Sequence, residues 1–160
     1  MGQAVSSPAG QATEYAGFGW RFLAVFLDWI LVAVVGNMLG LMLGVFIGIG
    51  GAASGFDEDA VSALVMLFGI VLGVGMAWMY EALLVSSTKQ ATLGKMAVGI
   101  VVTDMLGQRI SFLRATGRHF GKYVSRIILV AGFLMQPFTE ERQALHDIMA
   151  GCLVLRKVPR

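Results

Sequence analysis

From Phe18 to Gly48 the chain reads FGWRFLAVFLDWILVAVVGNMLGLMLGVFIG, an apolar run whose only charges are Arg21 and Asp28. A bilayer core needs about 20 helical residues, so this run predicts a transmembrane helix over residues 22–47. Phe18 and Trp20 stand where interfacial aromatic side chains collect. A second apolar run predicts a span over residues 60–84, with Trp78 and Tyr80 near its far end and Glu81 one step further as an interfacial carboxylate. Between the two lie a small-residue turn, 50–55, and the acidic triplet Asp57, Glu58 and Asp59, the stretch most easily placed outside the cell.

From Ser86 to Arg126 the pattern changes: Lys89, Lys95, Arg109, Arg114, Arg118, Lys122 and Arg126 face one acid, Asp104. Excess Lys and Arg mark cytoplasmic segments, so 86–122 reads as a basic cytoplasmic segment, and two crossings then place the N-terminus inside as well. Residues 96–103, MAVGIVVT, are β-branched and too short to span; with the β-like run 152–158 they predict a small cytoplasmic β element in which each strand satisfies the other's edge. Ser111 has the place of an N-cap for a basic amphipathic helix carrying Phe112, Leu113, Phe120 and Tyr123. That helix is expected on the inner membrane surface, with Arg114, Arg118, Lys122 and Arg126 on anionic lipid. The third membrane segment, residues 123–138, is short, which favours a re-entrant or tilted helix; hydropathy alone also permits a third full span with the tail outside. Residues 1–17 are small, polar and without Lys or Arg, and read as a disordered cytosolic lead-in rather than a cleavable signal.

These elements predict an all-α integral membrane protein: two full transmembrane helices, a third short, re-entrant or tilted membrane helix, and a small cytoplasmic β element, in one membrane domain over residues 18–158. Composition agrees, because 57% hydrophobic against 14% charged residues is too apolar for a soluble domain, where about a quarter are charged. The formal net charge of +2 gives no reason to expect nucleic acid. A lone cysteine, Cys152, excludes an intramolecular disulfide.

Candidate chemistry sits in the charges that hydrocarbon makes expensive. Arg21 and Asp28 lie seven residues apart, on nearly one helix face but about 10 Å apart along the axis, too far for a direct pair. Asp147 in the tail is the natural partner for Arg21, leaving Asp28 to be protonated, hydrated or held by a basic residue from elsewhere. Two readings follow: Arg21, Asp28 and Asp147 as a polar staple between helices, or Asp28 as a proton- or cation-exchanging carboxylate tuned by Arg21. His146, beside Asp147, could titrate near neutral pH or serve as a local hydrogen-bond partner. Gly36, Gly40, Gly44 and Gly48 recur every fourth residue, as do Gly69 and Gly73, a spacing that suits close helix packing, either of the two spans or of separate copies. Thr92-Leu93-Gly94-Lys95 mimics the end of a phosphate loop but lacks its upstream glycine and following Ser or Thr, so it reads as a cytoplasmic turn. With no nucleophile triad, no paired carboxylates and only two histidines, catalysis, a metal and a cofactor are not expected.

Three stretches carry a resemblance: WRFLAVFLDWIL (20–31), TLGKMAVGIVVTDMLGQRIS (92–111) and RQALHDIMAGCLVLRK (142–157). In that order they resemble the signatures of the RDD family of small bacterial membrane proteins, named for an arginine and two aspartates that fall here on Arg21, Asp28 and Asp147. The resemblance implies a multi-pass protein of the bacterial plasma membrane, with transport of ions or other small ligands as the expected role. The rival expectation is a non-transporting accessory or assembly subunit. One copy has too few spans to enclose a pathway, which predicts a homo-oligomer or a subunit of a larger membrane complex.

Overall fold

The computed structural model describes residues 4–6, 12–127 and 141–157. The elements in chain order are β1 (Ala4–Ser6), β2 (Ala12–Tyr15), α1 (Phe18–Ala53), α2 (Glu58–Ser86), α3 (Leu93–Ala97), β3 (Ile100–Asp104), α4 (Phe112–Ile127), α5 (Leu145–Ala150) and β4 (Cys152–Lys157). The chain is mostly helical and divides into two compact units: Trp29–Met79, and Met1–Asp28 with Tyr80–Arg160.

The first unit is a helical hairpin. Both α1, of 36 residues, and α2, of 29, are long and apolar enough to cross a membrane. At 1.5 Å per residue α1 extends about 54 Å, several turns more than a hydrocarbon core requires. The hairpin closes at Gly51, where a Cβ would stand 2.5 Å from Val61 Cγ2, so any larger residue would force Val61 to shift. Gly55, with φ of +70°, then reverses the chain, and Glu58 and Asp59 open α2 where the helix dipole favours negative charge. The glycine stripe packs less than its spacing suggests. Gly44 faces Val65, but a Cβ on Gly36, Gly40, Gly48, Gly69 or Gly73 would meet nothing within 4 Å among the described residues, where the tight approach sits at the turn and not along the stripe.

The second unit is built on an antiparallel sheet of order β1-β2-β4-β3. Val102 pairs with Val154 and Asp104 with Cys152, which joins the two runs expected to satisfy each other. Cys152, Leu153, Val154 and Leu155 are buried, as are Ile100 and Val102. The lead-in expected to be disordered instead supplies β1 and β2, with Tyr15 opposite Leu155. The second edge of β4 would otherwise be open, and edges seek partners; Arg156, 3.9 Å above the Trp20 ring and 3.4 Å from Glu14, adds side-chain contacts there.

Helix α4 begins as expected, with the Arg114 amide donating to Ser111 Oγ at 3.3 Å. Its continuation as a membrane helix over residues 123–138 lies mostly outside the described residues. Helix α5 ends at Gly151, whose φ of +58° and amide bond to Ile148 O at 3.1 Å form a left-handed cap before β4.

Candidate functional site

Polar groups of the second unit meet around three carboxylates, each placed by a different helix. Asp147 lies in the first turn of α5 and is fully buried. Arg21 Nη1 donates to its Oδ2, and Arg118 Nε and Nη2 reach its Oδ1 at 2.8 and 2.7 Å. Arg21 uses its remaining donors on Ala16 O at 3.1 Å and Arg142 O at 2.7 Å, so one guanidinium joins α1, the link from β2 and the tail. Burial alone would raise the Asp147 pKa, but Arg118 and Arg21 outweigh it and hold the carboxylate well below the usual range. His146 lies 3.4 Å from Asp147 and does not titrate near neutrality: burial pushes it down to about 3 despite the adjacent carboxylate.

Glu81 is the second carboxylate. It was expected at the interface, yet it is only 8% exposed. Oε1 takes Lys122 Nζ, Arg118 Nη1 at 3.4 Å and Lys95 Nζ at 3.5 Å, while His119 Nδ1 donates to Oε2 at 2.8 Å. Glu81 is buried because α4 turns Arg118 and Lys122 inward rather than onto lipid phosphates, and two buried cations require carboxylate partners. Arg118 bridges Glu81 and Asp147, making one continuous network. Arg114, by contrast, is exposed.

Asp28, the third, makes no ion pair with a basic side chain among the described residues, although its charge acts on nearby Lys95. Oδ1 accepts from Tyr80 Oη and from the Gly94 amide, both at 2.7 Å, and Oδ2 accepts from Thr92 Oγ1 at 2.5 Å. Tyr80 Oη in turn accepts the Leu93 amide at 3.0 Å. The TLGK stretch is therefore not a plain turn but a cradle for a membrane-helix carboxylate. Gly94 is indispensable to it, since a Cβ there would lie 2.4 Å from Ala24 O and 2.8 Å from Asp28 Cγ.

The next residue, Lys95, is buried and joins the cradle to Glu81. Burial pushes its pKa down to about 7 from 10.5; Glu81 opposes that, and Arg118 and Lys122 add to it. Lys122 is lowered too, by burial first and against the pull of Glu81. For Lys95 the sign is clear. Between about 7 and 10.5 the unfolded chain holds a proton that the folded chain has released, so stability rises with pH across that window and is lost as pH falls back to about 7. Lys95→Met should flatten this rise, as read from unfolding midpoints in detergent on either side of the window; an unchanged slope would exclude a depressed Lys95.

Arg21 and Asp147 thus meet as their positions suggest, while Tyr80, Thr92, Gly94, Lys95, Arg118, Lys122 and His119 enter unannounced. The one usable signal was the spacing of Arg118 and Lys122, four apart on one helix face.

Two long apolar helices with a buried network of ion pairs define a helical membrane protein. The chain belongs to the RDD family, which it matches over residues 15–151, a stretch that includes Arg21, Asp28 and Asp147. It is 33% identical over 148 residues to the uncharacterized protein YxaI of Bacillus subtilis (strain 168), covering 89% of this chain and 97% of that one. It is 26% identical over 145 residues to the uncharacterized membrane protein YteJ of the same organism, covering 89% and 82%. No solved structure matches.

Proposed function

We propose that this RDD protein moves a small ion across the bacterial plasma membrane together with a proton, and that Lys95 and Glu81 carry the exchange rather than Asp28 and Arg21. The observation that carries this reading is the buried Lys95–Glu81 contact within a network where four cations, Arg21, Lys95, Arg118 and Lys122, face three carboxylates, Asp28, Glu81 and Asp147. With Lys95 protonated the group carries one excess positive charge, costly in a low-dielectric surrounding and relieved by a small anion. With Lys95 neutral the charges balance and the anion is free to leave. Proton and anion then travel together, and the lysine's position near pH 7 suits repeated exchange. Asp28 has its oxygens filled by neutral donors and acts in this scheme as the anchor of α3. The exposed cations Lys89 and Arg109, beside the sheet, support a cytoplasmic side for it.

Reconstitution into vesicles holding a pH-sensitive dye tests this. An inward chloride gradient should acidify the lumen whichever alkali cation accompanies it, gluconate should not, and Lys95→Met should abolish the response while leaving a folded protein. No wild-type response, or one unchanged in Lys95→Met, would overturn the reading.

A second reading, an accessory or assembly subunit, is favoured by the open glycines of the hairpin. Gly36, Gly40 and Gly48 offer close approach to a helix of another copy or a larger complex. A silent wild type that purifies with a fixed large partner would select it.

A further inference from the structure

Helix α4 is amphipathic in the opposite sense to a helix on a soluble protein. Its inward face carries Arg118, His119, Lys122 and Ser125, all engaged within the protein. Its outward face, at the 3.6-residue period, carries Leu113, Gly117, Phe120 and Val124, flanked by Phe112 and Tyr123. Leu113 is 79% exposed and Phe120 48%, whereas Arg118 is 4% exposed. In water this arrangement would be penalised twice, by desolvated charges within and by wetted apolar side chains without.

We propose that the outward face of α4 is seated in the acyl chains of the bilayer, so that α4 is a membrane-embedded element and not a helix held on the surface by its basic stripe. Three observations select lipid as the occupant. The cations that would bind headgroups at a surface are turned away from that face and spent on Glu81 and Asp147. The segment of α1 in the same unit exposes Phe22, Val25 and Phe26 and continues without a break into a helix of spanning length and apolarity, so this unit is already at hydrocarbon depth. The exposed cation Arg114 lies one residue past Leu113 near the N-terminus of α4, within reach of the headgroup layer as the rest of the face goes deeper. The basic stripe that resembles a surface anchor is then the polar lining of an embedded helix, which is where intramembrane cations belong.

Nitroxide labels at Leu113→Cys, Phe120→Cys and Val124→Cys, each in a Cys152→Ser background and reconstituted in phosphatidylcholine–phosphatidylglycerol vesicles, give the test. Collisions with oxygen should exceed those with a water-soluble nickel chelate at Phe120 and Val124. The ratio should fall at Leu113 and reverse at a Gln108→Cys control in the exposed turn. Chelate access equal to Gln108 at all three positions would place the face in water and overturn the proposal. Shielding from both reagents would overturn it in favour of a protein cover, whether a second copy, another chain or residues 128–140. Each label sits on the outward face, and an unfolding midpoint close to the Cys152→Ser parent confirms the fold; the three positions report independently.

Discussion

Asp147→Ala is expected to lower stability by about 3–5 kcal/mol, the usual consequence of removing one partner from a buried ion pair. The size follows from what stays behind. Arg118, almost entirely buried, loses both bonds to Oδ1, and Arg21 loses the only carboxylate it meets among the described residues. The Ala144 amide, which donates to Oδ2 at 3.3 Å, loses its acceptor as well. Because the folded carboxylate titrates below the ordinary range, the wild-type contribution is complete at neutral pH and is lost only as pH falls below about 3.9, the unfolded value. The thermal unfolding midpoint in mild detergent reads the effect directly. A change under about 1 kcal/mol, the range of a solvent-exposed pair, would mean that Asp147 is open to water.

Gly94→Ala is the second large effect, by a different route. The added methyl meets backbone, the Ala24 carbonyl at 2.4 Å, so no rotamer relieves it and α3 must move away from α1. Overpacking of this kind costs about 1–3 kcal/mol. Displacing α3 also draws the Gly94 amide and Thr92 Oγ1 from Asp28, and hydrogen bonds to a charged group contribute about 1.5–3 kcal/mol each. Gly117→Ala is the control: its Cβ would touch nothing within 4 Å among the described residues, and helix propensity favours alanine by about 1 kcal/mol. A clear loss for Gly94→Ala beside a neutral or slightly stabilised Gly117→Ala is the expected pair of results. Equal effects would show that the cradle is not close-packed.

How far the sequence reveals this arrangement depends on the kind of partner each residue takes. The long helices are legible because unbroken apolarity has one structural outcome over that length, and their charged interruptions mark Arg21 and Asp28 at once. Arg21 and Asp147 are legible as partners because opposite charges in costly surroundings must meet. Asp28 is not, since its partners are a phenol, a hydroxyl and a backbone amide, neutral donors that no charge pattern reveals. Glu81 is misjudged for a related reason: whether a carboxylate at the end of an apolar run faces water or protein depends on which way α4 rotates, and a regular stripe of cations fits either orientation. The glycine stripe errs the other way, because its spacing permits close packing without requiring it, and among the described residues only Gly44 has a neighbour. Strands β1 and β2, three and four residues long, are too short for periodicity to show and exist because β4 has an edge to cover.

Arg118 and Asp147 belong to one buried network that ties α4 and the tail to the two long helices. The most direct measurement is a double-mutant cycle of Arg118→Met and Asp147→Ala, read as unfolding free energy in detergent. The double variant is expected to lose less than the two single losses combined, with a coupling of about 2–3 kcal/mol. Losses that add to within about 0.5 kcal/mol would contradict it.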